Sequence, residues 1–242
     1  MNDPELEAEL AEHHHDHAHR DVSGGWLRAA TFGAMDGLVT TIALIAGVGG
    51  GGADRDLIVL TGLAGVVAGA FSMALGEFAS VGTQNDAVHA EAAVERRELA
   101  LHPRAEEHEL AARFRGMGLT TDTAAAVARE VHRDPELALR MHVSQELGVS
   151  LDDQPSPWVA AASSFVAFVT GGIVPLVTFL LGYGSLALGL AVGGVGLLVA
   201  GALTSRFTAR SWWAAALRQL AFGAIAAGAT YLVGMLIGVG AA

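Results

Sequence analysis

Five apolar runs, each about as long as a bilayer is thick, leave this 242-residue chain few ways to fold. They are Leu27–Val48, Leu57–Val81, Trp158–Leu181, Leu186–Ser205 and Trp212–Val239. About 20 apolar residues rising 1.5 Å each cross a hydrocarbon core of roughly 30 Å. Inside lipid every backbone N–H and C=O needs a partner from its own segment, so such runs become helices. The expected fold class is an all-α membrane protein of five transmembrane helices. A polar, helix-patterned stretch lies between the second and third. The divisions are a polar His-rich tail at 1–24, helices one and two at 25–82, a helical domain at 83–157, and helices three to five at 158–242. Trp212 and Trp213 open the fifth run with side chains suited to the membrane interface. Gly171, Gly172 and Pro175 are expected to kink the third.

The runs carry glycines at small-xxx-small spacing: Gly65 and Gly69, Gly189 and Gly193, Gly234 and Gly238. Such faces let helices approach closely. With an odd number of spans they suggest a homodimer in membrane lipid; a packed bundle with no pore is the alternative. Arginine sets the orientation. All 14 basic residues are Arg, and with the N-terminus inside only Arg55 falls outside. The positive-inside rule then places the N-terminus and the 83–157 domain in the cytoplasm and the C-terminus outside. A bacterial inner membrane is the expected location. The acidic first residues do not form a cleavable signal pattern.

The chain contains no cysteine, which excludes disulfides, thiolate metal sites and a catalytic thiol. A formal charge of -11 speaks against a nucleic-acid partner. The charge concentrates after the second run, which passes into an acidic helix with no proline or turn between. Glu91, Glu95 and Glu98 share one face of it, with His102 a turn further. Pro103 ends the run, and Glu106 and Glu109 repeat the spacing on the next helix. Like charges so placed repel. Either arginines and water solvate this face, or a cation offsets the repulsion. A third helix is expected from about Thr121, capped by Thr120 or Thr121. A fourth is opened by Asp134-Pro135 and ended by Gly148, carrying His142 and Glu146 one turn apart. The tail holds His13, His14, His15, His17 and His19, either an accessory metal-gathering tract or simply polar chain.

Two spans carry carboxylates. Asp36 is nine residues into the first run, and Met73 stands at similar depth in the antiparallel second. Glu77 is one turn from Met73 toward the cytoplasm. An ionisable side chain in hydrocarbon is costly and marks function by default, although Asp36 could also be a structural hydrogen-bonding group. Met73 alone would be packing, and Glu77 alone could snorkel to the interface. Oxygen donors with an occasional His or Met suit hard to borderline divalent cations such as Mn(II) and Fe(II). An imidazole with an ordinary pKa of about 6.5 makes metal affinity fall from about pH 6–7 downward if His142 is a ligand.

Several motifs are also familiar together: GAMDGLVTTIALIAG from Gly33, AGAFSMALGEF from Ala68, the ERRE of Glu95 and Glu98, QELG from Gln145 and TGGIVPL from Thr170. In order and spacing they resemble the vacuolar iron transporter family over nearly the whole chain from Trp26. The resemblance implies dimers of five-helix protomers with a cytoplasmic metal-binding domain. It implies export of ferrous iron, often also manganese, from the cytoplasm in exchange for protons as counter-ion. By position it implies a transport pathway at Asp36 and Met73, and metal ligands at Glu95, Glu98, Glu106, Glu109, His142 and Glu146. Fe2+ or Mn2+ is then substrate and bound ion, with no organic cofactor. The chain departs from plant relatives at Gly65, where they carry a glutamate, and at His142, where they carry methionine. Glu77 is the candidate to replace the absent glutamate.

The rival reading is a membrane-tethered iron buffer or sensor, which has no need of a mid-membrane carboxylate. Enzymatic readings fare worse. A hydrolase lacks a nucleophile beside a base, and a di-iron oxidase needs Glu-x-x-His pairs on facing helices, which Glu106 and Glu109 do not supply.

Overall fold

The computed structural model describes residues 25–207 and 211–239; the His-rich tract at His13, His14, His15, His17 and His19 lies outside them. The described residues are helical, with no strand. Eight α-helices follow in order: α1 (Trp26–Gly50), α2 (Arg55–Leu101), α3 (Pro103–Gly116), α4 (Thr121–Val131), α5 (Pro135–Leu147), α6 (Pro157–Leu180), α7 (Leu186–Thr204) and α8 (Trp212–Val239). Five of them, α1, α2, α6, α7 and α8, are long and apolar enough to cross a membrane. The three short helices α3, α4 and α5 stand between the second and third of these.

Helix α1 is the centre of the bundle, packed against α2, α6, α7 and α8. Its tightest neighbour is α6, and glycine is the reason. A methyl group at Gly33 would collide with the Ser164 carbonyl, one at Gly37 with the Phe168 carbonyl, and one at Gly171 with the Ala34 carbonyl. With hydrogen in those places the two backbones come into contact, as small residues allow between helices in lipid. Thr230 of α8 donates to the Ala43 carbonyl of α1 at 2.7 Å. Phe71 and Phe78 of α2 meet Phe165 and Trp158 of α6 edge-on, with centroids 5.2 and 4.7 Å apart. Pro175 is buried inside α6, which continues past it to Leu180, so this proline does not break the helix.

The glycine pairs expected to face a second copy are used inside the chain. Gly69 abuts the Phe168 ring, Gly189 the Phe179 ring, Gly193 the Ile42 side chain, and Gly234 the Gly47 carbonyl. They therefore explain the bundle and say nothing of a dimer. Helix α8 packs on α1 and α7 and leaves most of its apolar stretch exposed.

The three-helix insert has its own apolar centre. Leu110, Ala111 and Phe114 of α3 pack with Ala124, Ala128 and Val131 of α4 and with Ala138 of α5. Ala92 of α2 packs with Leu139 and Val143 of α5. Fully burying a side chain such as Leu110 stabilises by roughly 1.5–3 kcal/mol. The boundaries follow local chemistry. Thr120 accepts from the Thr123 N–H, Asp134 accepts from the Glu136 and Leu137 N–H groups, and Gly148 closes α5 at φ 67°.

Candidate metal centre

Three helices bring carboxylates to one imidazole. Glu95 comes from α2, 14 residues beyond Val81 where the apolar stretch ends, Glu106 from α3, and His142 and Glu146 from adjacent turns of α5. His142 is fully buried. Its Nδ1 lies 2.9 Å from Glu95 Oε1, 3.6 Å from Glu146 Oε1 and 3.7 Å from Glu106 Oε2. One ligand atom each from Glu95, His142 and Glu146 falls within a 4.8 Å group. The 2.9 Å approach lacks hydrogen-bond alignment, so Glu95 Oε1 and His142 Nδ1 are both buried without a hydrogen-bond partner. Buried polar atoms are nearly always satisfied, and two unsatisfied donor-type atoms converging on one point fit a cation between them.

Electrostatics agrees. Burial, reinforced by Glu146, Glu106 and Glu109, pushes the Glu95 carboxyl from 4.5 up to about 7. Glu106 is raised as well, again first by burial and then by its acidic neighbours. Burial and the adjacent His132 hold His142 below its ordinary value, so the imidazole is neutral at physiological pH, the form that ligates metals. The pH-sensitive group near neutrality is therefore Glu95 rather than His142, contrary to the expectation from the reference value.

Glu98 and Glu109 stand at the edge of this centre. Glu98 is 3.8 Å from His102 and substantially exposed. Glu109 is half exposed and 3.0 Å from Arg113, which also reaches Glu146 at 3.0 Å. Arg113 thus occupies the place of a counter-cation to two of the acids. Sequence reasoning passed over it, although its i, i+4 relation to Glu109 was visible. It also passed over His132, whose Nε2 lies 3.4 Å from His142 Nε2. No helical spacing connects those two residues, because a turn separates α4 from α5.

The membrane residues are arranged differently. Asp36 is exposed on α1, and Thr40 one turn on donates to its Oδ1 at 3.2 Å. Met73 is half-buried on α2. Glu77 does not simply reach for the interface: Arg28 of α1 holds it at 3.0 Å, and its side chain is only 13% exposed. A side chain at Gly65 would meet Leu44.

The fold and this centre define a class: a five-span helical membrane protein with an acidic, histidine-containing helical insert able to hold a cation. The chain belongs to the VIT family, whose model matches residues 27–235. A relative named vacuolar iron transporter from Acanthamoeba castellanii is 34% identical over 224 residues, covering 90% of this chain and 82% of its own length. Vacuolar iron transporter 1 from Oryza sativa is 30% identical over 233 residues, covering 94% and 92%. Vacuolar iron transporter homolog 4 from Oryza sativa is 58% identical over 66 residues, covering 27% of this chain and 31% of its own. Members of this family are transporters, and the chain is not an enzyme.

Proposed function

We propose that the protein exports divalent metal from the cytoplasm, ferrous iron and also manganese, in exchange for protons. The observation that carries this reading is the pair of unsatisfied buried atoms, Glu95 Oε1 and His142 Nδ1, inside a group of acids. Glu95, Glu106, His142 and Glu146 form the loading site, with Glu98 and Glu109 at its rim. Relatives named as iron transporters support the substrate. Helix α2 runs unbroken for 47 residues from the insert into the bundle, so loading is mechanically tied to the span carrying Met73 and Glu77. Glu95, with its pKa near 7, gives up a proton when an ion binds, which supports metal–proton exchange at the loading site.

Asp36 is the carboxylate we assign to the crossing, with Met73 at its level. Among the described residues it is exposed on the surface of α1, where Thr40 donates to it. An open acid in hydrocarbon is costly. We therefore propose a homodimer in lipid in which a second copy covers this face. The arginine distribution supports the insert and N-terminus in the cytoplasm and the C-terminus outside. A second reading, a tethered buffer or sensor, is favoured by one fact: the loading site is complete in a single chain while the crossing is not.

Reconstituted proteoliposomes with an internal pH dye test the choice. Transport predicts Fe(II) and Mn(II) flux with opposite proton movement. Metal binding without flux would support the buffer.

A further inference from the structure

His132 is not among the acids, yet it touches the one imidazole they surround. It caps the end of α4, and its Nδ1 lies 2.8 Å from the Ala128 carbonyl. A carbonyl only accepts, so Nδ1 of His132 carries a hydrogen. In the neutral ring Nε2 is then a bare acceptor. That Nε2 lies 3.4 Å from Nε2 of His142, at the long limit of a hydrogen bond, with the ring planes crossing at 84°. Of the two facing nitrogens only His142 Nε2 is left to carry the hydrogen.

On the far side of the ring, Nδ1 lies 2.9 Å from Glu95 Oε1, and neither atom has an aligned hydrogen-bond partner among the described residues, so no bond there holds the hydrogen on Nδ1. The groups facing His142 are Glu95 from α2, Glu106 from α3, Glu146 from its own helix and His132 from the end of α4.

We propose that His132 is a positioning residue that locks His142 in the Nε2–H tautomer, leaving the Nδ1 lone pair aimed into the carboxylate group as a preformed metal donor. The proposal rests on reading that group as a metal-loading site. Ligating histidines commonly have their second ring nitrogen fixed in this way by an acceptor behind them. Here the acceptor is a second histidine, itself anchored by a helix carbonyl. Without it His142 divides between two tautomers. The apparent affinity then drops by the fraction lost, and the lone pair is less basic.

The test uses the full chain in detergent with 15N-labelled histidine, the His142 signals being identified by their loss in His142→Gln. The metal-free wild type is expected to show a protonated Nε2 and a bare Nδ1. His132→Leu should give a mixed tautomer signature and about tenfold weaker Co(II) binding. His132→Gln, which can return an acceptor oxygen, should restore both. Co(II) titrations are referenced to Glu95→Gln so that ions on the histidine tail cancel. A wild-type Nδ1–H tautomer overturns the proposal even if His132→Leu does not fold. So does an unchanged tautomer in His132→Leu. A wild type with the expected tautomer but no Glu95-dependent Co(II) binding would instead overturn the metal reading on which the proposal rests.

Discussion

The two acidic regions of this molecule are built to opposite standards. Around His142 one chain supplies everything: three helices, a buried imidazole, acids within 4 Å of it, and Arg113 as a standing counter-ion. Around Asp36 the described residues supply a carboxylate and the Thr40 hydroxyl on an exposed face. The first gathers ligand-type atoms from several helices of one chain. The second presents a single carboxylate on an exposed helix face. On the function proposed above, the contrast makes capture and crossing separate tasks, of which only crossing would need a partner chain. In a soluble protein an exposed Asp is unremarkable, but on a membrane-spanning helix it asks what covers it.

The comparison breaks most easily at the open face. Phe32 lies one turn before Asp36 on α1 and is 60% exposed. The chain has no native cysteine, so Phe32→Cys introduces a single thiol. In a two-fold interface a residue near the axis meets its own copy. Oxidation in membranes should convert most of the protein to a disulfide-linked dimer. A monomeric particle that never cross-links would mean that lipid alone covers Asp36.

A smaller but quantitative effect sharpens the other half. Glu95→Gln should weaken Mn(II) binding about tenfold to hundredfold, the scale of one buried charge-assisted contact. It should also flatten the pH dependence. The sign follows from a carboxyl raised from 4.5 to about 7. Between those values the folded protein holds a proton that the unfolded chain has released, so metal-free stability falls as pH rises. Metal affinity rises over the same window, by about tenfold per pH unit for a single displaced proton. His142→Met should leave that slope in place near neutrality, because burial and His132 hold His142 below its ordinary value. Calorimetry between pH 5.5 and 8 checks both variants, and a slope that disappears only in His142→Met would reverse the assignment.

The smallest effect concerns Arg113. Arg113→Gln removes the guanidinium that bridges Glu109 and Glu146. An incoming ion then has no cation to displace. At pH 8 the affinity should rise about fivefold, the equivalent of roughly 1 kcal/mol for one partly exposed ion pair. Weaker binding in this variant would mean that Arg113 holds the acids in place for the ion instead of competing with it.

Most of the insert was readable in advance because its signals are local. Asp134-Pro135 and Gly148 bracket α5, Thr120 caps α4, and the absence of a breaker before Pro103 carries α2 to Leu101. The convergence of Glu95, Glu106, His142 and Glu146 came from family position, since no local rule says which faces of three helices meet. Glu98 and Glu109 share those periodicities yet lie at the edge. Arg28 on Glu77 and His132 behind His142 are contacts across tertiary space. Neither leaves a periodic trace. The glycine pairs misled for a related reason: close approach is legible in sequence, but whether the approaching helix belongs to the same chain is not.

Asp36→Asn tests the division of labour most directly. The substitution is nearly isosteric and removes a charge from the membrane interior, so the bundle should hold. It also removes the anionic oxygen that offsets the dehydration of a crossing dication. Ferrous or manganous flux into proteoliposomes and equilibrium Mn(II) binding are measured on the same purified preparation. The account predicts that flux is abolished while binding at the Glu95 and His142 centre stays at the wild-type level. Wild-type flux from the Asn variant would contradict it, as would loss of binding together with loss of flux in folded protein.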